Sequence, residues 1–97
     1  MSNRLNGKVA VITGGAKGLG LSIAEKFYKE GCQIIICDIL SSEANKVAKN
    51  LKGKSFELDV SDSKQVLDIF NDINILYNKI DILVNNTGMN GLEIDQT

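Results

Sequence analysis

The 97-residue chain contains no histidine, and its two cysteines, Cys32 and Cys37, form no C-x-x-C pair. A zinc site and a histidine-based triad therefore have no ligands or base to use. The cysteines stand five positions apart across an apolar run that reads as a strand. At about 3.3 Å per residue their Cα atoms lie roughly 16 Å apart, beyond disulfide reach, so both are expected to be buried thiols. No basic block exists either: ten lysines are scattered from Lys8 to Lys79, the formal net charge is −1 and the pI is about 5.3. No nucleic-acid partner is expected. The longest uncharged apolar runs, such as residues 34–37 and 82–84, are far too short to cross a bilayer, and no signal peptide is expected. No membrane partner is expected, and the cytoplasm is the default location.

With 43% hydrophobic and 24% charged residues the balance is that of an ordinary globular chain, and the length allows one small domain or part of one. Lys8-Val9-Ala10-Val11-Ile12-Thr13 is a β-rich run that stops at a glycine cluster, as a buried parallel strand entering a tight turn would. From Gly18 the apolar residues Leu19, Ile23, Ala24, Phe27 and Tyr28 recur at helical spacing until Gly31. A second strand, from Gln33 to Cys37, ends in Asp38; Ser41 or Ser42 can then cap a helix with the face Ala44, Val47, Ala48 and Leu51. A weaker third strand, Ser55-Phe56-Glu57-Leu58, runs to Asp59 and suits a sheet edge. The next helix has Asp62 and Gln65 at capping-box spacing and a face of Val66, Ile69, Phe70, Ile73, Leu76 and Ile80. A fourth strand, Ile82-Leu83-Val84, leads into Asn85-Asn86-Thr87-Gly88.

Strands alternating with helices predict an α/β fold, a Rossmann-type doubly wound parallel sheet of which this is the four-strand N-terminal part. In the order 3-2-1-4, the first two helices cover one face and the third alone covers the other, leaving that face half bare and strand four as an apolar outer edge. Residues 1–97 would then form a single domain that reads as cut after its fourth strand.

The glycines Gly14, Gly18 and Gly20 lie between the first strand and the first helix. Glycine suits a turn with positive φ, a backbone that must approach a phosphate, and a helix packed tightly on a strand; the free N–H groups of the helix start then face a pyrophosphate. An isolated glycine-rich turn can equally bind nothing. The literal G-x-G-x-x-G fingerprint is absent, and the glycine turn holds no glycine-lysine followed by Ser or Thr, which excludes a Walker A loop there. Asp38, 24 positions after Gly14, stands where an acidic side chain can accept hydrogen bonds from adenosine ribose hydroxyls and repel a 2′-phosphate.

TGGAKGLG, residues 13–20, matches the TGxxxGxG signature of short-chain dehydrogenases/reductases, and Asn85-Asn86-Thr87-Gly88 resembles that family's NNAG segment with Thr in place of Ala. The Leu5-Asn6-Gly7-Lys8 lead-in, Asp38 and Asp59-Val60 extend the resemblance, of the 3-oxoacyl-acyl-carrier-protein reductase-like kind, over nearly the whole chain. It implies that Gly14, Gly15, Lys17, Gly18, Leu19 and Gly20 cradle a nicotinamide dinucleotide. Asp59 and the Val60 backbone would hold the adenine, and Asn86 and Gly88 would line the adenosine ribose and the approach to the nicotinamide. Lys17 resembles a basic residue of NADP-preferring members, whereas Asp38 favours NAD; a carboxylate at the 2′ position repels directly, while an exposed lysine can serve either cofactor, so NAD is preferred. Read alone, Asp38 could be a turn or cap residue and Lys17 a solvated side chain. Asn85 is expected to be structural.

Members of the family exchange hydride between nicotinamide and a small carbonyl or alcohol substrate through a Tyr-x-x-x-Lys pair, and the complete protein would be a homo-oligomer by the same resemblance. Here Tyr28 is followed four positions later by Cys32, and Tyr77 by Asp81. Catalytic residues are therefore expected beyond Thr97, and the alternative is a non-catalytic dinucleotide-binding or interaction module. The purified chain, given NADH and a panel of ketones, is expected to show no turnover in an absorbance assay at 340 nm, roughly the nicotinamide band used for hydride transfer; appreciable oxidation would place catalytic groups within these 97 residues.

Overall fold

The computed structural model describes residues 5–86. Its central strand, β1 (Val9–Thr13), is buried at every position. It is paired in parallel on one side with β2 (Gln33–Asp38), in the register Val9 with Gln33 to Thr13 with Cys37. On the other side lies β4 (Ile82–Asn85), also parallel, in the register Ala10 with Ile82 to Thr13 with Asn85. The outer strand β3 (Lys54–Glu57) pairs with β2, giving the expected order β3-β2-β1-β4. A strand covered on both faces has no use for polar alternation, which is why β1 and β2 read as continuous apolar runs. Ile34, Ile35 and Ile36 are all fully buried, each worth about 1.5–3 kcal/mol of transfer free energy.

Side-chain alternation divides the core. Ala10, Ile12, Ile34, Ile36 and Val84 face α1 (Gly18–Lys29) and α2 (Ser41–Asn50), whose Ala24, Ala44, Val47 and Ala48 lie against them. Val9, Val11, Ile35, Cys37 and Leu58 face α3 (Ser63–Tyr77), which contributes Ile73 with Val66, Ile69, Phe70 and Tyr77. The division of two helices to one face and one to the other agrees with the sequence. Cys32 and Cys37 belong to opposite faces and are free and buried, as an odd separation along an extended chain requires. Burial pushes the Cys37 thiol up to about 12, with the neighbouring Asp38 charge adding to it.

Several local expectations need correction. Leu19 is 47% exposed, and Leu21 packs on the core from the same helix. Neither Ser41 nor Ser42 caps α2: Leu40 occupies the N-cap position without a side-chain bond, and its N–H donates to Asp38 Oδ1 at 3.0 Å. In α3, Asp62 is the N-cap and accepts from the Gln65 N–H, but Gln65 Oε1 takes the Asp59 N–H at 2.6 Å rather than that of Asp62. Leu76 is 54% exposed, because the helix turns Ile73 and Tyr77 to the sheet and stops at Asn78 in the left-handed conformation, φ 65°. The third strand ends at Glu57, so Leu58 fills the core from the loop that follows.

The two interior strand starts are clipped together. Asp81 Oδ2 accepts the Val9 N–H at 2.8 Å, the Asp81 N–H donates to the Val9 carbonyl at 2.9 Å, and Lys79 Nζ lies 3.2 Å from the same carboxylate. The Val9 hydrogen bond is the main cause holding the Asp81 carboxyl below the usual carboxylate range. A depressed folded value contributes stability that is present above the unfolded value of about 3.9 and is lost as pH falls through the folded one. Chemical denaturation between about pH 5 and pH 2 is therefore expected to show a shallower acid loss for Asp81→Asn than for the unaltered chain; equal slopes would remove Asp81 from the acid response.

Candidate functional site

Residues that must leave β1 and return as α1 do so through a turn in which Gly14 has φ 68° and Gly18 φ 63°, the left-handed region that favours glycine. The turn is tied to the end of β2: the Gly14 N–H donates to the Cys37 carbonyl at 2.7 Å, and the buried Ala16 N–H donates to Asp38 Oδ2 at 3.1 Å. Lys17 then takes the extended conformation of an N-cap, with its side chain exposed and no side-chain cap bond. The first amides of α1, at Gly18, Leu19 and Gly20, have no acceptor among the described residues, so they present donors at the positive end of the helix.

Gly20 is the point of closest approach. A Cβ there would overlap the Gly14 carbonyl and come within 2.8 Å of Asn86 Nδ2. Asn86 in turn donates from Nδ2 to the Gly14 carbonyl at 3.2 Å, and its own N–H donates to Thr13 Oγ1 at 3.0 Å. The Thr13 hydroxyl lies 3.2 Å from the Val84 carbonyl and 3.1 Å from Asn85 Oδ1, either of which can accept its proton. The ends of β1 and β4 and the start of the turn are thus one hydrogen-bonded junction. The Asn85 side chain contacts the Thr13 hydroxyl rather than a backbone group. Thr13 and Ala16 were not singled out in the sequence; a hydroxyl at the end of a buried strand, across from an asparagine pair, is the signal that could have found the first, and an amide carries no signal at all.

Asp38 is 7% exposed, with one oxygen on Ala16 and the other on Leu40. Asp59 is exposed on the loop after β3. Hydrogen bonds from the Ser61 hydroxyl and N–H, at 2.7 and 3.0 Å, hold its carboxyl below the usual range. Val60 lines a cleft of about 170 Å³ with Thr13, Leu58, Val66, Phe70, Leu83 and Asn85, comparable with the roughly 150 Å³ that accepts a benzene ring. The structure therefore brings Gly14, Gly15, Lys17, Gly18, Leu19, Gly20, Asp38 and Asn86 around the carboxyl ends of β1, β2 and β4, with Asp59 and Val60 after β3. This is where ligands of open α/β sheets bind. Gly88 and Thr87 lie outside the described residues.

Both tyrosines belong to the other end of the sheet. Tyr28 and Tyr77 sit in the last turns of α1 and α3, helices that run away from the carboxyl ends of the strands. Burial raises the Tyr77 hydroxyl, the opposite of what a phenolic base needs.

Residues 8–97 match the short chain dehydrogenase family. The chain belongs to that family. Its curated relatives include tropinone reductase-like 2 of Erythroxylum coca, 39% identical over 88 residues, covering 89% of this chain and 32% of the relative. Galactitol 2-dehydrogenase of Agrobacterium fabrum is 41% identical over 88 residues, covering 89% and 34%. The NADP-dependent (R)-specific alcohol dehydrogenase of Lentilactobacillus kefiri is 34% identical over 93 residues, covering 92% and 37%. Among solved structures, a crystal structure of ribose-5-phosphate isomerase from Brucella melitensis 16M superposes with a TM-score of 0.87 at 34% identity, over 92% of this chain and 35% of that one. The short-chain dehydrogenase match thus concerns about a third of the length of these relatives.

The junction generates a contrast between two glycines. Gly20→Ala must displace the Gly14 carbonyl or move α1, and is expected to cost on the order of 3 kcal/mol or more. Gly18→Ala meets nothing within 4 Å and carries only the left-handed backbone penalty, about 1 kcal/mol. Urea denaturation of both variants checks the order; equal losses would mean that the close approach at Gly20 is not maintained in solution.

Proposed function

We propose that residues 1–97 form a single dinucleotide-binding domain whose site holds the adenine-dinucleotide portion of NAD. In the complete protein it would serve an oxidoreductase that moves hydride between nicotinamide and a small carbonyl or alcohol substrate. The observation that carries the reading is the pairing of free α1 amides with a buried carboxylate at the end of β2, across a turn where only glycine fits at position 20. Pyrophosphate would lie against the amides of Gly18, Leu19 and Gly20, backed by Gly14 and Gly15. Adenosine ribose hydroxyls would donate to the remaining lone pairs of Asp38, and Lys17 would face the phosphates from solvent. Adenine would lie near Asp59 and Val60, beside the apolar cleft, and Asn86 and Gly88 would border the ribose and the path to the nicotinamide.

NAD is preferred to NADP in this reading because a buried carboxylate facing the 2′ position repels a phosphate there. The relative from Lentilactobacillus is named as NADP-dependent, and Lys17 is the residue here that would favour that cofactor. Lys17 is exposed, however, whereas Asp38 is held by two hydrogen bonds. The isomerase name of the Brucella structure is not carried over, since one fold hosts many reactions and the match covers 35% of that chain. A cytoplasmic setting fits two free, buried cysteines, and a homo-oligomer is the expected state of the complete protein. No helix among the described residues is long and apolar enough to cross a membrane.

A non-catalytic binding or interaction module remains the second reading, favoured by the apolar cleft on the face that α3 covers alone. Titration calorimetry with NAD and NADP, together with sedimentation, tests both. Binding of NAD about tenfold or more tighter than NADP, a difference of about 1.4 kcal/mol, is the expected result. Equal or tighter NADP binding would overturn the preference, and a folded chain that binds neither would overturn the site. Tight NAD binding by a stable, monodisperse 97-residue species, with no hydride transfer by the complete protein, would favour the module.

A further inference from the structure

Asp38 is more constrained than a ribose acceptor needs to be. It is the last residue of β2 and almost wholly buried, and both its oxygens accept backbone N–H groups, Ala16 on Oδ2 and Leu40 on Oδ1. The Ala16 contact joins positions 22 apart in sequence and anchors the glycine turn itself. Among the described residues the one ion pair is Lys79 with Asp81, so the Asp38 charge is met by these amides and by the positive end of α1.

The turn is held unevenly. Its first half is fixed to consecutive residues of β2, through Gly14 to the Cys37 carbonyl and Ala16 to the Asp38 carboxylate. Its second half is held less: Lys17 is exposed and extended, its carbonyl accepts only the Leu21 N–H at a long 3.4 Å, and nothing beyond the adjoining residues and the helix's own backbone lies within 4 Å of where a Cβ of Gly18 would stand. The Ala16 bond is therefore the last fixed point before the amides of α1. Donors aimed at an anion are effective when their orientation is settled before the anion arrives.

We propose that Asp38 is a positioning residue for the glycine turn, presetting through the Ala16 N–H the amides that receive a diphosphate, independently of any contact it makes with ribose. This rests on the dinucleotide reading above, and the two have separable consequences. A purely ribose-directed carboxylate matters only to ligands that carry ribose hydroxyls. A turn latch matters also to a diphosphate that has none.

The probes are ADP and 2′,3′-dideoxy-ADP, titrated by amide NMR into the full 97-residue chain and its Asp38→Ala and Asp38→Asn variants, with hydrogen exchange at the Ala16 amide measured before ligand is added. Asp38→Ala is expected to weaken dideoxy-ADP by about tenfold, the scale of one hydrogen bond to a charged group, and to remove protection at Ala16. Asp38→Asn, which keeps one acceptor, should restore part of both and carries the test if the alanine variant does not fold. Loss of ADP affinity with dideoxy-ADP affinity unchanged would overturn the proposal, as would an Ala16 amide that exchanges freely in the unaltered chain. If the unaltered chain binds neither nucleotide, the dinucleotide reading fails, and protection at Ala16 with its loss in the variants still decides whether Asp38 holds the turn.

Discussion

Helix α1 meets the end of β1 so closely that the Gly14 carbonyl occupies the space a side chain at position 20 would need. That contact sets the geometry of everything around it. It forces the chain through left-handed conformations at Gly14 and Gly18, brings the first helical amides to the carboxyl edge of the sheet, and leaves room beside them for the Asn86 carboxamide to reach the same carbonyl. A larger residue at position 20 would lift the helix from the strand and separate the amides from Asp38 and Asn86 together. One steric constraint thus supports both the packing of α1 and the arrangement of the site.

The sheet beneath is asymmetric. Its α1/α2 side is a continuous core running from β2 across β1 to β4. Its other side depends on α3 alone and opens into the cleft between that helix and the ends of β1 and β4. Hydrogen bonds compensate at this thinner side: Asp81 joins β4 to β1 at one end of the strands, and Thr13 with Asn85 and Asn86 joins them at the other. The strand carrying the asparagines is thereby held in register at both ends while one edge is unpaired among the described residues. This gives the carboxyl ends of β1 and β4 a defined shape even where hydrophobic cover is incomplete.

Much of this was legible in the residues because the signals are local and periodic. Continuous apolar runs at β1 and β2, helical spacing in α1 to α3, and glycines at their junction led to the observed strand order and to the division of helices between faces. The errors fall where a local rule competes with a tertiary contact. Ser41 lost the capping position because the chain leaving Asp38 is directed by the Leu40 N–H to its carboxylate. Gln65 did not close a box on Asp62 because the Asp59 N–H was within reach. Leu19 and Leu76 have the right spacing, yet the orientation of each helix on the sheet turned them outward.

By itself the sequence determined the class of fold, the order of its elements, the family, and the residue types able to face a dinucleotide, since each is written in short-range pattern and spacing. Tertiary structure alone decided what Asp38, Thr13 and Ala16 do. Their partners lie 22 to 73 positions away, or are backbone amides identical in every residue, and only the packing of β1 between β2 and β4 brings them within hydrogen-bond distance. The Asp38 carboxylate meets the glycine turn only because folding places the Ala16 amide beside it.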